Sequence, residues 1–449
     1  MKLAELALAA YRPHRNLLDD AAITLAVNLL GTLLLFLTQV FLARLMGVTE
    51  FSLYSFSFTI LTIASTLSVF GFDVAVLRFI PAALAHEDWR TLRGFTVRAI
   101  QVTILTSTLA GLLVAAAAWL LGGRWTSGLA PTLMATAFGI PFACLLLLYS
   151  AFARGLKRPL LAAAPRLLLK PVAFVGFAAL LWLFAPPLRA DRAVLAELGA
   201  NLLAVAFLAA VIAAQLRPLW RRFEPSFDTR KWVGVSFPLF LTTGFQLLTR
   251  QTDILLLGTI MGAHTVGPYA AASRISQLAA FGLLSINAVL PALVSRHLAK
   301  GELDAARKIV SVASFAIFIF SAAAAAIIWL FANFFLGAFG TGFADAVPVL
   351  HILIVGQVLN AVTGSVSYIL GVTGHQKVLA LVVLSTMFVN ALLCALTIPL
   401  FGQIGAAVAV TVSTSASNLF LVYVCTKRAA IDPSIYGAVK RLLTRQAAH

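Results

Sequence analysis

Arg166, Lys170, Arg250 and Arg274 fall inside long apolar stretches of a 449-residue chain. Charge is costly there, so an ionisable group within a membrane span is a functional candidate by default. The acids Asp73 and Asp253 share that setting. Arg250 and Asp253 are three residues apart and so lie near one helix face. Asp253 then serves either as the partner of Arg250 or as a site for an ion or proton. Arg274 sits roughly two turns into the following helix, as a ligand cation or as a side chain reaching for the interface. Arg166 and Lys170 are four apart and share a face, with Lys170 the deeper of the two. Arg44 ends the first apolar stretch, where an anchor for lipid headgroups is the plain alternative. Asp73 and Arg78 close the second stretch, where a local helix-end pair is the plain alternative. Internal cations outnumber internal acids, which favours an anionic ligand.

The segments that must position these residues are readable from composition. Hydrophobic residues make up 61% of the chain and charged residues 11%, against roughly 45–50% and 25% in a soluble domain. Those proportions exclude a soluble enzyme, a disordered chain and a disulfide scaffold. A bilayer-spanning helix needs about 20 apolar residues. Uncharged runs mark such helices at residues 21–43, 51–72, 99–123 and 125–153. They continue at 171–188 (extended backward), 198–216, 232–295 (two helices), 309–344, 346–376 and 378–426 (two helices). The breaks are placed at Gly262–Pro268 and Pro399–Gly402, where proline removes a donor and glycine permits a turn. The expectation is an all-α polytopic membrane protein of about 12 spans, since open backbone groups find no partner in lipid.

The net charge of +17 reads first as an orientation signal. Most Lys and Arg residues fall on one side of the alternating spans, while Arg44, Arg124, Arg189 and Arg192 fall on the other. The bias places both termini in the cytoplasm. No cleavable leader is evident in residues 1–20, which are expected to form a short surface segment. Cys144, Cys394 and Cys425 lie in apolar runs without metal-ligand spacing, so they read as small buried hydrophobes. The seven histidines do not cluster, and His351 is the one candidate for proton coupling. No phosphate-cradling Gly-x4-Gly-Lys-Ser/Thr loop occurs. Neither a catalytic constellation nor a metal site nor a bound cofactor is expected, and nucleic acid is not an expected partner.

The chain also repeats itself. Met46, Gly47 and Tyr54 align with Met261, Gly262 and Tyr269, and Phe70-Gly71…Pro81-Ala82 echoes Phe281-Gly282…Pro291-Ala292. Two copies of an even number of helices have the same orientation, which makes a parallel repeat about an axis along the membrane normal. The expected organisation is an N-terminal segment 1–20, a first lobe 21–216, a cytoplasmic linker 217–231, a second lobe 232–426 and a tail 427–449.

Specific stretches resemble a known family. Leu42-Ala-Arg-Leu-Met-Gly47, followed by Phe51 and Tyr54, is similar to the first-loop signature of Wzx-type polysaccharide flippases. These belong to the multidrug/oligosaccharidyl-lipid/polysaccharide (MOP) superfamily. Gly71-Phe-Asp-Val-Ala-Val-Leu-Arg-Phe-Ile-Pro81 resembles the end of that family's second helix, and Leu248-Thr-Arg-Gln-Thr-Asp-Ile-Leu-Leu-Leu-Gly258 its seventh. Leu370-Gly-Val-Thr-Gly-His-Gln376 is similar to its tenth loop. The resemblance implies the MOP flippase fold, two six-helix lobes in a V around a central cavity. It implies translocation of an undecaprenyl-diphosphate-linked oligosaccharide to the periplasmic leaflet of the bacterial inner membrane, for surface polysaccharide such as O-antigen. It also implies ion-coupled alternating access, with H+ or Na+ as the coupling ion. Implied partners are the lipid-linked oligosaccharide, membrane lipids, and the polysaccharide polymerase and chain-length machinery.

Arginine suits a diphosphate because it stays charged and its planar fork matches phosphate oxygens. On this reading Arg250 and Arg274 contact the diphosphate, with Arg44, Lys170 and Arg78 as further cations and Asp253 and Asp73 as coupling or ion-pair groups. Asn28, Gln39, Gln246, Asn287, Gln357 and Asn360 suit sugar hydroxyls, or else bonds between helices. A cation-coupled multidrug exporter of the same superfamily is the nearest alternative, although such proteins favour acidic sites. A membrane-embedded glycan polymerase or ligase is a second; it would carry a large catalytic outer loop, and the longest here is expected at about 185–197. A purely structural scaffold has no need of buried arginines.

Overall fold

A computed structural model describes residues 17–121, 128–220, 222–287 and 289–446. The expected surface segment 1–20 falls mostly outside them, as do Arg124 and Arg221. Among the described residues there is helix and no strand. The first helix is α1 (Leu17–Ser68), followed by α2 (Phe72–Ala85), α3 (Trp89–Leu121) and α4 (Leu129–Gly155). Next come the short α5 (Pro159–Ala164), a π turn (Pro165–Leu169), α6 (Lys170–Phe184), α7 (Ala190–Trp220) and α8 (Thr229–Ile260). The second half begins with α9 (Val266–Leu278), α10 (Phe281–Asn287), α11 (Leu290–Ala299) and α12 (Leu303–Leu330). It ends with α13 (Ala332–Gly337), α14 (Val347–Thr363), α15 (Val366–Val372), α16 (Gln376–Arg428) and α17 (Ile435–Gln446).

Ten helical stretches among the described residues are long and apolar enough to cross a membrane. Two of them are double: α1 breaks at Gly47 (φ 73°) and α16 at Gly402 (φ 57°). Counting each half separately gives the twelve crossings that the apolar runs predict. Positive φ is the conformation glycine adopts without Cβ strain, so both breaks fall where the sequence supplies it. The break after α8 uses Gly262 (φ 94°), the repeat counterpart of Gly47.

The chain divides into two compact units. Unit 1 comprises residues 1–46 and 60–244; unit 2 comprises residues 47–59 and 245–449. In unit 1, Phe72, Phe95 and Trp232 are fully enclosed, with ring centroids 5.9 Å apart for Phe72–Phe95 and 5.4 Å for Phe95–Trp232. Each such buried ring contributes about 1.5–3 kcal/mol, and together they fix the start of α8 against α3. The stretch before α8 lies across α3 as well. Arg93 Nη1 donates to Phe223 O at 2.6 Å, and a Cβ on Gly94 would stand 1.8 Å from Ser226 O.

In unit 2, the short stretch 47–59 is held by aromatic packing. Phe51 is fully buried against Phe339 (6.2 Å) and Phe343 (5.6 Å). Ser52 Oγ accepts the Gly267 N–H at 2.9 Å, across a separation of 215 residues. That separation is the repeat offset, so a residue meets its own counterpart there. The second helix of each copy also breaks near this motif, at residues 69–71 in one and at Ala279–Ala280, just before Phe281-Gly282, in the other.

The 185–197 outer loop is corrected. The helix α7 starts at Ala190, so Glu197 lies within it and is 2% exposed. Uncharged runs find the lipid-facing middle of a helix and miss a charged residue folded into its buried face. All three cysteines are buried and unpaired.

Candidate functional site

The helix α8 carries Thr249, Arg250 and Asp253 on consecutive turns in a stretch otherwise rich in leucine. Asp253 is 5% exposed and accepts a hydrogen bond from the Tyr269 hydroxyl at 2.6 Å. Its other oxygen, Oδ1, has no hydrogen-bond partner among the described residues. One turn earlier, the Thr249 carbonyl accepts the Asn390 amide at 3.4 Å. Asn390 Oδ1 in turn accepts from Ser413 Oγ at 3.2 Å and Cys394 Sγ at 3.7 Å. Asn390 and Tyr269 are fully buried. A polar network thus joins α8, α9 and both halves of α16 inside unit 2. Networks of this kind specify one packing arrangement when their members are bonded. Here one carboxylate oxygen, Asp253 Oδ1, remains over among the described residues. Hard monovalent cations and protons take such oxygens.

Arg250 and Asp253 do not pair. Arg250 is exposed and Asp253 buried, because three residues along a helix still leave about 60° between side chains. Arg274, on α9, is half-buried with its guanidinium 5.5 Å from the Phe51 ring centroid. Such a cation–π contact holds the charge in place. Gln246 is exposed one turn before Arg250, and Gln357 is half-buried on α14. The remaining two polar positions of this unit act between helices. Asn418 donates to Asn360 Oδ1 at 2.9 Å, and Asn287 Oδ1 accepts from Ser365 Oγ.

Unit 1 holds the other sequence-derived candidates. Lys170 is not an unneutralised cation: its Nζ lies 2.6 Å from Glu197 Oε1, with side-chain exposures of 18% and 3%. The π turn immediately before Lys170 and the following Pro171 set its position on α6. Arg166 is on that π turn, exposed. Arg78 is exposed and rests over Phe79 at 5.8 Å, without an ion pair to Asp73. Asp73 lies instead within the field of Arg154, at the point where Gly155 packs against Val76 and Ile80. Arg44 and Asn28 are exposed, and Gln39 is half-buried.

Glu197, Asn390, Tyr269 and Ser413 carry much of this geometry and were not among the sequence candidates. Tyr269 had a signal, since it marks the repeat. Asn390 is a polar residue within an apolar run, the same signal that selected Asn360. Ser413 left none, because serine is common in membrane helices.

The sequence matches the family described as polysaccharide biosynthesis protein over residues 17–297. The chain belongs to that family. A second match, to the MatE family, covers residues 238–396. Among solved structures, the lipid II flippase MurJ in an inward closed conformation superposes with a TM-score of 0.73 at 14% identity, covering 90% of this chain and 87% of that one. An inward-facing multidrug resistance MATE transporter gives 0.69 at 14% identity, covering 96% and 100%. A MOP superfamily transporter from Pyrococcus furiosus, described as having a binding pocket of reverse polarity, gives 0.62 at 15% identity, covering 91% and 94%. No curated protein sequence matches the chain. The fold is that of these MOP superfamily structures, and the chain is a multi-pass membrane protein.

Proposed function

We propose that the protein translocates an undecaprenyl-diphosphate-linked oligosaccharide from the cytoplasmic to the periplasmic leaflet of a bacterial inner membrane, coupled to H+ or Na+. Family membership supports a role in polysaccharide export. The observation that carries the substrate class is Arg250, exposed in the middle of an apolar helix, with Arg274 held over Phe51 on the next one. A guanidinium there is stable only where water or an anion reaches it, and it fits phosphate oxygens two at a time. In this scheme Arg250 and Arg274 hold the diphosphate and the unpartnered oxygen of Asp253 takes the coupling ion. Exposed Gln246 and half-buried Gln357 are the sugar contacts. Residues 21–216 and 232–426 are the two moving lobes, joined by a cytoplasmic linker at 217–231, with both termini cytoplasmic. The polysaccharide polymerase and chain-length machinery are the downstream partners.

The test is translocation of a lipid-linked oligosaccharide in proteoliposomes, together with surface polysaccharide in cells carrying Arg250→Gln and Arg274→Gln. Stimulated translocation and loss of polysaccharide at normal protein level are expected. No stimulation over protein-free vesicles, or normal polysaccharide in the double variant, overturns the reading. A cation-coupled multidrug exporter is the second reading, favoured by the MatE match over 238–396. It requires drug efflux that depends on Asp253 and survives the arginine substitutions.

A further inference from the structure

The C-terminal helix α17 is built onto unit 2 at one end. The segment leading to it is buried at Ile431 (0% exposed) and Ser434. Arg307 Nε donates to Ala430 O at 2.8 Å, and Ser314 Oγ donates to Pro433 O at 2.6 Å. The Pro433 carbonyl also occupies the place a side chain would take on Gly364, 2.2 Å from that Cβ position, where α14 gives way to α15 at φ 64°. The helix then packs through Ala438, and Arg441 Nη1 donates to Ser311 Oγ at 3.1 Å. This is a fixed seat on α12.

The outward side of the seated helix carries Tyr436 (71% exposed), Val439 and Lys440. Aromatic and apolar groups so placed beside lysine match a helix lying in the headgroup plane. The same end of the unit gathers exposed cations. Ile431, Val294, Ala306 and Val424 share one hydrophobic cluster, which brings Arg296, Lys300, Lys308, Lys427 and Arg428 to that end, all exposed. The local acids are engaged within the protein: Glu302 with His297 (2.6 Å), Asp304 with Arg307 (3.0 Å), and Asp432 with the Ser434 N–H (2.9 Å). The five exposed cations outnumber these three acids, so the surface beside the exposed tyrosine and valine is positive.

We propose that α17 is an in-plane helix that binds anionic phospholipid headgroups of the leaflet it faces. Tyr436 and Val439 enter the interface, and Lys440 with the neighbouring cations holds lipid phosphates. By the Lys/Arg bias this is the cytoplasmic leaflet. The proposal is independent of which substrate is transported.

The test uses the full chain reconstituted in phosphatidylcholine vesicles with or without phosphatidylglycerol. Tyr436→Cys is labelled with an environment-sensitive fluorophore; the three native cysteines are buried. Phosphatidylglycerol should deepen quenching by headgroup-level spin-labelled lipid and protect the label from aqueous iodide. A basic residue near an anionic surface contributes about 1 kcal/mol, so Lys427→Gln and Lys440→Gln should each weaken the phosphatidylglycerol response roughly fivefold. Equal quenching in both vesicles overturns the proposal. So does full iodide access in the presence of phosphatidylglycerol, as expected of a surface kept for a soluble protein partner. An unchanged response in the two lysine variants, shown folded by their elution profile, also overturns it.

Discussion

Replacing Lys170 with methionine tests whether its charge serves Glu197 or a ligand. The Nζ–Oε1 distance is 2.6 Å, and the carboxylate is 3% exposed. At an effective dielectric of about 20, charges so close attract by roughly 6 kcal/mol, while removing each ion from water costs several kcal/mol. The pair therefore comes close to balance, and its loss as a whole should change stability little. Breaking it is different. Lys170→Met strands Glu197 among apolar helices, and a buried pair broken on one side costs about 3–5 kcal/mol. Lys170→Met combined with Glu197→Leu should recover most of that loss, to within about 1–2 kcal/mol of the parent. Thermal unfolding in detergent, followed by fluorescence-detected size exclusion, orders the three variants, and translocation in proteoliposomes reads function separately. If Lys170 acts through Glu197, the double variant unfolds near the parent temperature and still transports. A stable but inactive double variant would make Lys170 a ligand cation. A single variant as stable as the parent would refute the energetic argument.

Two further substitutions probe the remaining geometry. Tyr269→Phe removes the hydroxyl that binds Asp253 Oδ2; leaving a buried acceptor unsatisfied should cost about 1–3 kcal/mol, seen as a lower unfolding temperature, and should alter ion dependence if Asp253 is the coupling site. Gly71→Ala would place a Cβ 2.3 Å from Ser236 O at a φ of +74°, so expression of folded protein should collapse, whereas Gly176→Ala, with nothing within 4 Å, should be tolerated.

The sequence showed the spans more clearly than the partners. The helix breaks at Gly47, Gly262 and Gly402 were visible because glycine and proline punctuate a chain locally. The Gly402 break fell at the edge of the expected 399–402 turn. Pairing across helices leaves no such mark. Lys170 and Glu197 are 27 positions apart, and nothing local tells a charge folded against another helix from one in a loop. Arg250 and Asp253 fail for the opposite reason. Their spacing suggested a pair, but the bond from Tyr269 decides where Asp253 points, and that depends on how α9 returns against α8.

The repeat supplies the scaffold, and the chemistry stands where the repeat is broken. At the 215-residue offset that joins Gly267 to Ser52, the counterparts of Arg250, Asp253 and Arg274 are Leu35, Thr38 and Thr59. Among the described residues Thr38 bonds its own helix, to Leu34 O at 2.8 Å, and Thr59 does the same to Ser55 O at 3.1 Å. The glycines and tyrosines that shape the breaks are kept in both copies: Gly47 with Gly262, and Tyr54 with Tyr269, both tyrosines fully buried. Two copies under the same packing constraints need the same residues at the same bends. A ligand that is itself asymmetric, charged at one end and hydroxylated along the rest, needs cations from one copy only. In unit 1 Lys170 is paired with Glu197, whereas Arg250 in unit 2 has no ion-pair partner among the described residues. If the proposed diphosphate-linked substrate is the ligand, its anionic end belongs to unit 2, and installing Thr59→Arg in the first copy should not replace a lost Arg274.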